Sequence, residues 1–195
     1  MTRLCKRFEN SSLDNYRIDC PEQQRLVETL KEGLKNGFDK NIIIVGGVGT
    51  GKTHLAYAIV NALAEKKASY NGEYRYYSED KVVYCPIKSI IDEIKNAWNR
   101  KEAPDIGDLY KVPLIIIDEI GVQYGSDSER TELYTVFNRR YEDELPIIAI
   151  SNNKLSELQR ILGQRIYDRL TGGAKIFELN GRSYRQGAQD GIRNN

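Results

Sequence analysis

A β-branched run that breaks into glycines and ends in a lysine and a threonine, NIIIVGGVGTGKTH over residues 41–54, constrains this chain more than any other stretch. Gly46, Gly51, Lys52 and Thr53 satisfy GxxxxGK[ST], a spacing at which glycine N–H groups wrap phosphate oxygens and the lysine reaches the β and γ phosphates. Asn41 to Val45 reads as a short buried strand, and His54 to Lys67 carries Leu55, Ile59 and Leu63 on one helical stripe. A glycine-rich turn can merely join a strand to a helix. Here it meets a helix N-terminus whose unpaired N–H groups and dipole favour an anion, so the stretch is read as a phosphate site. The predicted nucleotide contacts are Gly47, Val48, Gly49, Thr50, Gly51, Lys52, Thr53 and His54.

The bulk properties narrow the surroundings of that site. With 195 residues, 40% of them hydrophobic, the chain suffices for one well-buried domain, and two would be crowded. A formal net charge of +1 excludes a globally basic nucleic-acid binder and leaves a local basic patch open. Cys5, Cys20 and Cys85 are scattered, and His54 is the one histidine, so no zinc site follows from conventional spacing. The N-terminus has no apolar stretch for a signal peptide, and no apolar run approaches the roughly 20 residues that span a bilayer. A cytoplasmic protein without membrane association is expected.

Taken in order, residues 1–20 are irregular, with isolated Leu4, Phe8, Leu13, Tyr16 and Ile18, and are expected to drape over the domain. Pro21 to Lys35 reads as a helix leading into the first strand. Residues 68–81 carry Tyr70, Tyr74, Tyr76 and Tyr77 with Arg75; they read as a hairpin or extended loop on the surface, with base stacking as the alternative. Val82 to Cys85 is a second strand. Ile87, Ile90, Ile91, Ile94 and Trp98 then mark a core-facing helical stripe, with Lys88 and Lys95 turned away and open to a partner.

Val112 to Gly121, VPLIIIDEIG, is the second informative stretch. Its apolar run suits a central parallel strand, and Asp118 and Glu119 emerge at the carboxyl end, where doubly wound sheets hold their ligands. An apolar strand ending in two acids is common; about 65 residues after a complete phosphate loop it gains meaning. An acid there can hold Mg²⁺, and its neighbour can orient an attacking water. Ser128 to Tyr141 reads as a helix and Pro146 to Ile150 as a fourth strand ending in Ser151, Asn152 and Asn153. Asn152 either touches the γ-phosphate or attacking water, or shapes the turn and caps the next helix. Residues 155–170 carry helical leucines and isoleucines among Arg160, Arg165 and Arg169, Lys175 to Leu179 is a fifth strand, and the tail beyond Arg185 is expected to fray. Five strands alternating with helices imply a mostly parallel sheet covered on both faces.

The motifs GGVGTGKTHLA, LIIIDEIGVQ, SNN after a strand, GQRIYDRL and RSYR, in that order, resemble the AAA+ ATPases of the DnaC-type helicase loaders and their IstB-type transposition relatives. The resemblance covers about residues 7–186 and includes the RFEN…NYR opening. It implies an α/β P-loop domain over residues 41–186 with no separate lid, preceded by a segment and lead-in helix at 1–40 and followed by a flexible tail at 187–195. It also implies that ATP and Mg²⁺ bind, Thr53 and Asp118 serving the metal and Glu119 polarising water. Asn152 would be the sensor of the γ-phosphate, Arg169 a finger reaching a neighbouring subunit with Arg165 its rival, and Arg185 a second sensor in its own subunit.

The implied partners are a replicative DNA helicase, single-stranded DNA and further copies of the chain, with Lys88, Ser89 and Lys95 near the DNA. Two other functions stay open: an IstB-like transposition helper acting on duplex DNA, and a nucleotide-gated adaptor that does not hydrolyse ATP. Larger loaders carry a separate N-terminal domain, so the helicase is expected to dock on the short N-terminal segment, on another surface, or not at all.

Overall fold

The computed structural model describes residues 6–63, 68–70, 76–78, 82–121 and 127–180. The fold grows from five parallel strands: β1 (Ile42–Gly46), β4 (Val82–Pro86), β5 (Leu114–Ile120), β6 (Ile147–Ser151) and β7 (Lys175–Leu179). Two short strands, β2 (Ala68–Tyr70) and β3 (Tyr76–Ser78), form an antiparallel hairpin on the outer edge of β4. The sheet order is β2-β3-β4-β5-β6-β1-β7. All five expected strands are present, and the tyrosine-rich stretch lengthens the sheet to seven, taking the hairpin alternative in its backbone. Tyr74 and Arg75, two of the five residues offered for base stacking, lie outside the described residues.

Strand residues alternate between two cores because successive side chains leave a strand on opposite faces. Ile42, Ile44, Ile116, Ile148 and Ile150 pack beneath α1 (Pro21–Asn36) and α2 (Lys52–Leu63), together with Leu26, Leu30, Leu55 and Ile59. Ile43, Val45, Ile115, Ile117 and Ala149 face α3 (Ile87–Arg100), α4 (Asp127–Glu142), α5 (Leu155–Leu162) and α6 (Gln164–Thr171). Both faces of each central strand are therefore apolar, the pattern of a parallel sheet with helices on either side.

Four local details depart from the sequence reading or add to it. Gly163 divides residues 155–170 into two helices. Trp98, expected in the core, is 39% exposed, and Ala97, three residues after Ile94, takes the core-facing place in the last turn of α3. Lys88, expected to be open to a partner, pairs with Asp92 one turn along the same helix. Arg140, one of two arginines ending α4, is fully buried. Its guanidinium donates to the carbonyls of Leu109, Val112, Pro113 and Pro146 at 2.8–3.3 Å, tying α4 to the entrances of β5 and β6. Burial lowers its pKa to about 10, so it remains a cation at neutral pH.

Asn41 and Gly46 set the two ends of β1. Asn41, just before β1, accepts from the Ile147 N–H and donates to the carbonyls of Arg169 and Leu170, which fixes the end of α6 at the amino edge of the strands. At the carboxyl edge Gly46 passes so close to β7 that an added Cβ would stand 2.4 Å from the Leu179 carbonyl oxygen. The phosphate loop begins at that point.

Candidate active site

The loop from Gly46 to Gly51 leads directly into α2, which begins at Lys52. Lys52 is buried, and its ammonium donates to the carbonyls of Gly46 and Gly47, each at 2.7 Å, and to Thr50 Oγ1 at 3.3 Å. Burial lowers its pKa to about 8 against an opposing pull from Asp118. A cation so placed, beside the first N–H groups of a helix, gains strongly from an anionic ligand.

Thr53 Oγ1 donates to Asp118 Oδ2 at 3.0 Å, bringing the first turn of α2 to the carboxyl end of β5. Asp118 is 3% exposed. Its Oδ2 also accepts from the Tyr84 hydroxyl at 3.0 Å, and its Oδ1 accepts from the Glu119 N–H at 2.7 Å. Burial raises the Asp118 pKa while those three donors oppose the rise. Burial and the neighbouring Asp118 carboxylate push the Tyr84 phenol far above its ordinary value, so it serves as a donor.

Glu119 is turned the other way by a bulge. Ile117 pairs with Ala149 and Ile120 with Ser151, so Asp118 and Glu119 stand opposite Ile150 alone, and Glu119 adopts φ 59°. The bulge leaves Asp118 buried and presents the next carboxylate to the cleft. Ser151 holds the arrangement: its hydroxyl donates to the Ile120 carbonyl and accepts from the Asn153 N–H at 3.0 Å. Gly121, at φ 129°, lies against Asn153, whose side-chain oxygen would be 1.9 Å from an added Cβ. Asn152 is thereby exposed at the strand tip beside Glu119.

These groups line one cleft of about 520 Å³, within the range of small-ligand sites. Val48, Gly49, Gly51, Lys52, Thr53, His54, Asp118, Glu119 and Asn152 contribute to it, and so do Arg7, Phe8, Asn15, Tyr16 and Arg17. Gly47 and Thr50 shape the loop, the Thr50 hydroxyl donating to the Gly47 carbonyl at 2.9 Å.

The N-terminal wall was not anticipated as part of the site. Tyr16 donates to the Thr50 carbonyl at 3.0 Å, while Asn61 of α2 gathers the carbonyls of Phe8, Glu9 and Ser11 at 2.8–3.3 Å. His54 Nε2 meets the Ser12 carbonyl at 3.0 Å, and its Nδ1 lies 3.4 Å from Ser11 Oγ. Because a carbonyl only accepts, Nε2 carries the proton, and His54 fastens the segment in addition to lining the cleft. The isolated aromatics Phe8 and Tyr16 were the available signal, and irregular spacing hid their destination.

Arg169 stands elsewhere. Its Nε donates to Asn138 Oδ1 at 3.2 Å and its guanidinium lies 4.4 Å from the Tyr141 ring, both on α4. Arg165 lies over Tyr134 of the same helix at 5.9 Å. Neither lines the cleft. Arg185 lies outside the described residues.

Mg²⁺ is a hard cation that takes oxygen ligands. A hydroxyl and a buried carboxylate 3.0 Å apart are hard oxygen donors of the type it prefers, and one or two such groups suffice when phosphates complete the shell. The donor set fits.

A phosphate loop on β1, with one strand between it and an acid-tipped β5, defines a P-loop ATP-binding protein of the AAA+ type. The family model for IstB-like ATP binding proteins matches residues 2–190, and the chain belongs to that family. The replicative helicase loader DnaC of Escherichia coli (strain K12) is 30% identical over 184 residues, spanning 91% of this chain and 70% of that protein. The DnaC helicase loader crystal structure matches at a TM-score of 0.73 and 22% identity, covering 90% of this chain and 99% of that one. The DnaI crystal structure matches at 0.71 and 20%, covering 92% and 93%. Among the described residues, no helix is long and apolar enough to cross a membrane.

Proposed function

We propose that this chain is an ATP-hydrolysing helicase loader that assembles in the cytoplasm on single-stranded DNA and helps place a replicative helicase. The observation that carries the reading is the convergence of Lys52, the Thr53–Asp118 pair, Glu119 and Asn152 on one cleft. The likeness over 70% of a protein named as a replicative helicase loader supports the choice of partner.

In this reading Lys52 gives up a loop carbonyl for a phosphate oxygen. Thr53 and Asp118 would hold Mg²⁺, which when bound neutralises charge on the β and γ phosphates. Glu119 receives a proton from the attacking water, and Asn152 orients that water or the γ-phosphate. Phe8 and Tyr16 offer apolar ring surface to the rest of the nucleotide.

Arg169 supplies a neighbouring subunit. Its carbonyl is anchored to Asn41 at the amino edge of the sheet, whereas Lys52 sits at the carboxyl edge, so the arginine serves a site other than its own. An arginine contributed in trans is worth about 10³–10⁵ in rate, so isolated subunits hydrolyse ATP slowly. The ATPase and the preference for DNA form test the whole reading. ATP-dependent binding to single strands over duplex is expected; a duplex preference favours a transposition helper, and equal slow turnover in wild type and Glu119→Gln favours an adaptor.

A further inference from the structure

We propose that Tyr84 is a positioning residue that holds the Asp118 carboxylate in the orientation Mg²⁺-nucleotide requires, an inference that rests on the nucleotide reading above. Tyr84 belongs to β4 and pairs in register with Ile116, so it leaves the sheet on the same face as Asp118, two residues further along β5. Only 5% of it is exposed, and its hydroxyl lies 3.0 Å from Asp118 Oδ2. The carboxylate is thereby gripped at both ends: Glu119 N–H holds Oδ1, and Tyr84 and Thr53 share Oδ2. Two of those donors belong to the phosphate-loop helix and the bulge. Tyr84 is the third, and it comes from a strand with no other part in the site.

The ring that carries this hydroxyl is itself fixed. It packs against Tyr57 of α2, ring centroids 4.9 Å apart, and Tyr57 stacks on Phe8 at 4.8 Å with planes 14° apart. Packing alone is satisfied by a phenylalanine. The hydroxyl adds a donor to a buried carboxylate, where an unmet acceptor is costly.

The test compares wild type, Tyr84→Phe and Tyr57→Phe, each as the full chain. A fluorescent non-hydrolysable ATP analogue is titrated with Mg²⁺ and separately with EDTA, and the Mg²⁺ dependence of ATP turnover is recorded. Tyr84→Phe is expected to bind the analogue in EDTA as wild type does, and to lose about tenfold or more of the strengthening brought by Mg²⁺, the worth of one hydrogen bond to a charged group. Half-saturating Mg²⁺ for turnover rises correspondingly, and Tyr57→Phe matches wild type. An unchanged Mg²⁺ dependence in Tyr84→Phe overturns the inference, as does an equal loss with and without Mg²⁺, or an equal effect from Tyr57→Phe. Wild type that binds no analogue under either condition overturns the nucleotide reading itself.

Discussion

Tyr16 donates its hydroxyl to the carbonyl of Thr50 at 3.0 Å, so the segment ahead of the first helix is fastened to the phosphate loop. Tyr16→Phe keeps the ring and deletes that buried bond. A loss of about 1 kcal/mol in stability is expected, measurable as a fall of roughly 2–4 °C in thermal midpoint. ATP affinity should fall as well, since the loop loses a support; unchanged affinity in a calorimetric titration counts against a role for the segment in binding.

Lys52 titrates near pH 8. Its cationic form is the one that attracts phosphate, so ATP affinity should be level below that pH and decline above it, by up to about tenfold per unit until the bound-state pKa is reached. Lys52→Ala should bind ATP at least about a hundredfold more weakly and show no such decline. A wild-type affinity that stays flat to pH 9.5 contradicts the assignment.

Glu119→Gln retains the shape of the bulge and removes the proton acceptor. Turnover should drop by about 10²–10⁴ while ATP binding persists, as read by single-turnover kinetics beside a binding isotherm.

Mixing Arg169→Ala subunits with Lys52→Ala subunits restores what each lacks. Partial recovery of ATPase activity is the expected result, and oligomer formation in the mixture is checked by analytical ultracentrifugation. Mixed oligomers without recovery refute a finger supplied in trans.

Arg140 donates to four carbonyls from full burial. Arg140→Met strands those acceptors, so a loss of about 3 kcal/mol or more is expected, seen as a lower midpoint in urea unfolding. Comparable stability in the variant would mean that the buried charge costs as much as its bonds return.

The loop, both acids, the five parallel strands and their helices were legible because each depends on residues close together in the chain. Strand and helix periodicities, glycine spacing and the order of motifs are local, and Lys52, Thr53, Asp118, Glu119 and Asn152 could be named from them. What partners each residue across the fold was not local. Tyr84 meets Asp118 across 34 positions and Thr53 meets it across 65, contacts that exist only once strand order and register are set. The same holds for Tyr16 on Thr50, for the bulge that turns Glu119 outward, and for Arg140, whose position beside Arg139 on a helix resembles that of a surface residue. Periodicity tells which face of an element is apolar. Tertiary packing alone decides which carbonyls or carboxylates wait opposite a polar side chain, and so which arginine is a clamp and which tyrosine grips the acid.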